Sequence, residues 1–272
     1  MIESIQSLIF LVGKRSLDRS LRTHPPGSKT AGMLATALDA SRCREFSDAE
    51  TSWIVRIEEL REKLASSPEP IALQDFGARA SSNLMPGNPR SMPLTRTVGE
   101  ICRSSSITRG WGTLLFQIVR HTRPSVCLEL GTSLGISASY LSAACSLNGN
   151  GIVMTLEGAS SVASLAQKNL ASLGLTMAVV IPGRFQDTLE STLTRHHPVD
   201  FAFIDGHHDR DATLRYFNQI KPHLSDQAIV VFDDILWSLG MRHAWREIRR
   251  NTGSSVTVDL VRMGVLCYDK TE

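Results

Sequence analysis

Asp205, Asp233 and Asp234 each follow directly on an apolar run, FAFI before the first and IVVF before the pair, and His207 and His208 stand beside Asp205. Carboxylates grouped in this way repel one another unless a cation or a proton offsets their charge. Oxygen ligands of this kind suit Mg²⁺, Mn²⁺ or Ca²⁺. Two plainer readings stand beside that one. The first Asp can contact a ligand's amino group, and an Asp after the second run can cap the next helix.

A second group of residues lies earlier in the chain. The segment Glu129-Leu-Gly131-Thr-Ser133-Leu-Gly135-Ile-Ser137 follows the run SVCL. Its two glycines permit a tight turn and close approach of a ligand to the backbone, and a helix beginning there would offer free N–H groups. The spacing is GxxxG, whereas dinucleotide binders carry GxGxxG to bring the backbone onto a pyrophosphate. The run IVMTL ends in Glu157, whose carboxylate can accept both hydroxyls of a ribose. The two signals in this order point to a nucleoside ligand without a pyrophosphate. An NAD-dependent oxidoreductase is disfavoured by the glycine spacing and by Glu157 lying 26 residues after Gly131.

The elements that must position these residues follow one rhythm. From about residue 95 the chain reads strand, turn, helix, repeatedly, with apolar runs at 125–130, 152–157, 177–182, 200–204 and 227–232. Runs apolar on both faces suit a parallel sheet covered by helices, and in such a sheet ligands lie beyond the carboxyl ends of the strands. The runs at 255–260 and 263–268 are separated by only two residues, too few for a parallel crossover, so they are expected to pair antiparallel at the end of the sheet. The earlier part differs. Ser47 and Glu50 have capping-box spacing, and Trp53, Ile54, Ile57, Leu60 and Leu64 recur at helical intervals. Pro86, Gly87, Pro89 and Pro93 disfavour regular structure and mark a boundary. Residues 1–94 are therefore expected to be a mainly helical appendage that serves as lid or in oligomerisation, and 95–272 the ligand-binding domain.

The ordered segments LELGTSLGIS, TLEG, GRFQDTL, FIDGHH and VFDDI resemble class I S-adenosylmethionine-dependent methyltransferases, in particular the catechol and caffeoyl-CoA O-methyltransferase-like group, over roughly residues 95–268. The resemblance implies an α/β, Rossmann-like, doubly wound seven-stranded sheet with its last strand antiparallel. It implies that Glu129, Gly131, Ser133, Gly135 and Ser137 hold the methionine part of S-adenosylmethionine, that Glu157 binds the ribose, and that Phe185 and Gln186 flank adenine. It implies further that Asp205, Asp233 and Asp234 hold Mg²⁺ or another divalent cation. Asp205 counts with the cofactor and catalytic residues too, and His208 stands where the group usually has a basic Lys, which makes it the expected proton acceptor. Trp237 falls where an aromatic acceptor would lie, while Trp245 and Trp111 are expected to pack the core.

The implied activity is O-methylation of a small-molecule hydroxyl, assisted by the metal. The alternative is metal-independent methyl transfer to oxygen, nitrogen or carboxylate, and a non-catalytic cofactor-binding protein is a more remote one. Bulk properties agree with a globular enzyme: 42% hydrophobic residues, 21% charged and a net charge of +2 give no reason to expect a nucleic-acid partner. No stretch approaches the roughly 20 apolar residues of a membrane span, and Leu8 to Val12 is too short for a signal-peptide core. A cytoplasmic location and a small-molecule partner are expected, with a homodimer as an assembly the apolar helix stripe allows. The five cysteines include no CxxC pair and are expected to be reduced and mostly buried.

Overall fold

A computed structural model describes residues 16, 28–44, 46–73, 94–253 and 255–270. The expected boundary at 84–93 lies outside the described residues.

Seven strands form one sheet: β3 (Val126–Leu130), β4 (Ile152–Glu157), β5 (Ala178–Pro182), β6 (Val199–Ile204), β7 (Leu224–Phe232), β8 (Val256–Leu260) and β9 (Met263–Asp269), in the order β5-β4-β3-β6-β7-β9-β8. The first five of these pair in parallel. Strand β9 enters between β7 and β8 and runs antiparallel to both. The two-residue link 261–262 forces that reversal, because a parallel return needs a crossover of a dozen or more residues. It also has a positional consequence: Phe232 at the end of β7 pairs with Gly264 at the start of β9, so the 261–262 turn lies at the carboxyl end of the sheet.

The strands bury both faces with period two. Phe201, Phe203, Ile229 and Val231 join one apolar cluster, and Ala202, Ile204, Val230 and Phe232 join the other. Helices α4 (Arg109–Thr122), α5 (Ile136–Asn148) and α6 (Ser160–Ser172) contribute to the first cluster. Helices α7 (Phe185–Arg195), α8 (Arg210–Ile220) and α9 (Leu239–Asn251) contribute to the second. This is the Rossmann-like doubly wound arrangement expected from the sequence, with the crossover helices on both faces.

Two further helices, α1 (Lys29–Cys43) and α2 (Asp48–Ala65), complete the first face. The capping box of α2 is formed as the Ser47/Glu50 spacing predicts. Leu34 of α1 and Ile57 of α2 are fully buried in the same cluster as the sheet residues, each worth roughly 1.5–3 kcal/mol. Polar ties accompany the packing. Ser28 and Thr30 donate to Asp269 at 2.5 and 2.9 Å, Arg120 pairs with Glu50 at 2.9 Å, and Tyr140 donates to Glu58 at 2.6 Å. A small antiparallel ribbon of β1 (Pro70–Leu73) and β2 (Leu94–Thr97) leads into α3 (Val98–Ser105). Of the free cysteines, Cys43 is exposed and the other four are buried. No helix among the described residues is long and apolar enough to cross a membrane.

Candidate active site

Backbone hydrogen bonds gather the carboxyl ends of four strands. Gly131 and Thr132 donate to Leu156 O, Asp205 donates to Leu130 O, and Asp233 donates to Ile204 O. The residues read from the sequence after β3, β4, β6 and β7 therefore share one rim of the sheet.

At the first turn, Gly131 has φ +106°, and a Cβ there would stand 2.2 Å from the carbonyl oxygen of Asp205. Only glycine permits both the conformation and the approach of the β6 loop. Gly135 caps α5 with φ +83°, and no side chain caps that helix, so its first amides face the turn unsatisfied by a cap. Ser137 lies in the first turn of α5 and is buried. Glu129 is fully buried at the end of β3. One carboxyl oxygen accepts from Thr155 at 2.5 Å, and the other, Oε1, has no hydrogen-bond partner among the described residues. Burial pushes its pKa up to about 7, opposed by the hydroxyls of Thr155 and Ser137. Glu157 accepts from the amides of Ser133 and Ala159 at 2.9 Å each. Burial raises its pKa, and the amides of Ala159, Ser133 and Gly158 hold it down. The glycine turn and the acid after β4 are thus one bonded unit.

Phe185 and Gln186 lie differently from each other. The Phe185 ring is buried, packs edge-on to Tyr216 and His207, and sits where a Cβ on Gly206 would be, 2.5 Å from Cε2. Its contacts support the loop after β6. Gln186 is exposed in the first turn of α7.

The carboxylates after β6 and β7 form a second group. Asp233 is buried, and Asp205 and Asp234 keep 13% and 20% of their side chains exposed. His208 lies between the latter two, with Nε2 3.7 Å from Asp205 and Nδ1 3.6 Å from Asp234. Burial and then the charge of Asp233 push the Asp205 carboxyl well above the ordinary carboxylate range. Asp234 is raised by the same two causes, while Arg262 and His208 pull it down. His207, His208, Asp234 and Ser133 have φ of 68°, 40°, 52° and 47°. Left-handed backbone costs a non-glycine residue roughly 1–2 kcal/mol. Such strain concentrates at sites whose surroundings over-determine the geometry. Trp237 is 66% exposed, with its ring centroid 6.3 Å from that of His208. Trp245 packs in the core over Gly264, and Trp111 lies against the first cluster.

The sequence reading missed Arg262. Its Nε donates to Asp233 Oδ1 at 2.7 Å, its Nη2 to Asp233 Oδ2 at 2.5 Å, and Nε lies 3.1 Å from Asp234 Oδ1. A guanidinium from the β8–β9 turn thus pairs with two of the three carboxylates, Asp233 and Asp234. A divalent ion at the same carboxylates would have to displace that fork, so the residues present do not fit one. Among the described residues, no group of three or more His, Cys, Asp or Glu is arranged to hold a metal ion. The signal was available in the sequence as an arginine in the tight link before the last strand.

Residues 128–235, which carry both groups, match the family described as Methyltransferase domain. The match covers the stretch that carries the site and not the whole chain. The seven-stranded sheet extends beyond it on the C-terminal side through β8 and β9, which deliver Arg262 to the domain's rim. No curated protein matches the chain. Among solved structures, the O-methyltransferase from Bacillus cereus in complex with SAH is 18% identical, with a TM-score of 0.56 over 88% of this chain and 99% of that one. The O-methyltransferase TomG from Streptomyces achromogenes, involved in tomaymycin synthesis and solved with SAM, is 22% identical with a TM-score of 0.52 over 61% and 82%. The SAH-bound methyltransferase PaMTH1 from Podospora anserina is 15% identical with a TM-score of 0.54 over 83% and 98%. At these identities the likeness shows a shared fold.

Proposed function

We propose that this chain transfers a methyl group from S-adenosylmethionine to a hydroxyl of a small molecule. The observation that carries the reading is Glu129. A fully buried carboxyl with one unpartnered oxygen beside a glycine turn is costly to keep, and a cationic amino group is the ligand that offsets it. Gly131, Ser133, Gly135 and Ser137 would surround the methionine part, and Glu157, fixed by two amides, keeps lone pairs for ribose hydroxyls. The Gln186 side chain is free to meet adenine. Phe185 acts from beneath, by holding the Asp205 loop in place.

Bound S-adenosylmethionine supplies an electrophilic methyl on a sulfonium. The chain's own residues align the acceptor and take its proton. The acceptor oxygen forms the new bond to the methyl carbon, the carbon–sulfur bond breaks with its electron pair left on sulfur, and the hydroxyl proton passes to His208 Nε2 or Nδ1. Asp205 and Asp234, on either side of that ring, stabilise the imidazolium that results. Trp237 offers an exposed aromatic face within reach of the same histidine, which supports an aromatic or planar acceptor. The divalent cation implied by the sequence resemblance is not part of this reading, because Arg262 holds the carboxylates that would bind it. In the same reading residues 95–272 are the catalytic unit, and α1 and α2 of the preceding segment act as its cover, since their buried faces are already packed on α4 and α5. The direct test is incubation of the protein with methyl-labelled S-adenosylmethionine and a set of small hydroxylated compounds, followed by mass spectrometry. A labelled methyl ether supports the reading. Label recovered only on amines or carboxylates, or no transfer at all, contradicts it.

A further inference from the structure

The three carboxylates after β6 and β7 pose a charge problem that the chain answers itself. Three of the four oxygens of Asp233 and Asp234 lie within 3.1 Å of the Arg262 guanidinium. Asp233 Oδ1 also accepts from the amide of Asp234 at 2.8 Å, and the Asp233 side chain is wholly shielded from solvent. A bidentate fork of this kind is the strongest geometry available to a carboxylate–cation pair, and arginine cannot lose its charge. Mg²⁺ in this place would need short oxygen contacts in an octahedron that retains waters. The buried Asp233 gives it no such room while the fork is present.

The delivery of Arg262 is a second, independent observation. Val261, immediately before it, has φ +68°, a conformation that is a marked outlier for a β-branched residue. The turn is held there by Arg262 N donating to Leu260 O at 2.8 Å and by Ile235 N donating to Arg262 O at 2.9 Å. The backbone thus carries strain at the one turn that brings a guanidinium to the β7 carboxylates, and the loop bearing Asp234 is bonded to that same turn. Of the guanidinium nitrogens, Nη1 makes no hydrogen bond with a described residue, and a third of the side chain remains exposed.

We propose that Arg262 is the resident cation of this site, standing where a divalent metal would otherwise be needed. It pairs with Asp233 through Nε and Nη2 and with Asp234 through Nε, offsetting one of their two charges, and its Nη1 is the donor left for the negative charge that develops on an acceptor oxygen. The catalytic part of this inference rests on the proposed methyl transfer. The cation part does not, and its readout is metal binding rather than turnover, so failure of one is distinguishable from failure of the other.

The test is titration of the full-length protein with Mn²⁺, followed by the loss of the free-ion electron paramagnetic resonance signal. Wild type is expected to bind no Mn²⁺ below the millimolar range. Arg262→Gln is expected to bind one ion at least tenfold more tightly than wild type, and the added change Asp234→Asn is expected to remove that site again. A wild-type site in the micromolar range that Asp234→Asn abolishes would overturn the proposal, and so would an Arg262→Gln protein with no gain. Should Arg262→Gln not fold, the wild-type melting temperature decides. It is expected to be the same with millimolar Mn²⁺ and with chelator, and a rise of several degrees with the ion would overturn the inference, because a ligand bound only by the native state stabilises it by mass action.

Discussion

Glu129→Gln should make the ligand-free protein more resistant to unfolding at pH 8 than its effect at pH 5 would suggest. The buried carboxyl titrates near 7 in the folded chain against an ordinary value of 4.5. Between those values the native state holds a proton that the unfolded chain has released. The contribution of this group is therefore favourable at low pH and is lost as pH rises through about 7. From pH 5 to pH 8 the loss amounts to roughly 2–3 kcal/mol. Glutamine carries no charge and loses nothing over that range. Urea unfolding of both proteins at both pH values gives a double difference in which the amide's own contacts, and every other titrating group, cancel. The variant's stability relative to wild type should rise by that amount between pH 5 and pH 8. The same relative stability at both pH values would refute the argument that an unpaired buried charge sits at the end of β3.

Gly131→Ala should cost at least about 3 kcal/mol, since it meets both a left-handed φ and the Asp205 carbonyl, whereas Gly149→Ala, with φ +67° and nothing within 4 Å, should cost only about 1–2 kcal/mol. Equal losses in denaturant unfolding would show that the close approach of the two loops does not matter. His208→Ala should lower kcat by about 10²–10⁴ with little change in the affinity for S-adenosylhomocysteine, read by steady-state kinetics and calorimetry together. A truncation beginning at residue 94 removes Leu34, Ile54 and Ile57 from the first cluster and should expose the α4–α5 face. Aggregation or a melting temperature lowered by many degrees is expected, and a monodisperse protein with native stability would count against an integral role for α1 and α2.

The strands and their direction were legible because burial on both faces leaves an unbroken apolar run, and the final hairpin because its two-residue link permits only one pairing. The capping box before α2 was legible for a similar local reason. Glu129, Gly131 and Glu157 could be picked out since strand ends carry ligands in this architecture. What their side chains do was not: Glu157 is bonded to Ser133, and Glu129 lacks one partner, facts set by the register of β3 against β4. Phe185 read as an adenine neighbour, and its packing against Gly206 and Tyr216 is a contact between elements that periodicity does not reveal. The acid cluster was legible as a charge in need of compensation. Its partner was not, because Arg262 stands 28 residues after Asp234 and reaches it only once β9 is inserted between β7 and β8.

The central claim is that the β3–β4 rim is a site for a nucleoside bearing an amino acid, and equilibrium calorimetry with S-adenosylhomocysteine and NAD tests it most directly. Wild type should bind one equivalent of S-adenosylhomocysteine and no NAD, and Glu157→Ala should weaken the former by about 1–3 kcal/mol, the scale of lost hydrogen bonds to a charged group. Binding of NAD, absence of S-adenosylhomocysteine binding, or unchanged affinity in Glu157→Ala would contradict it.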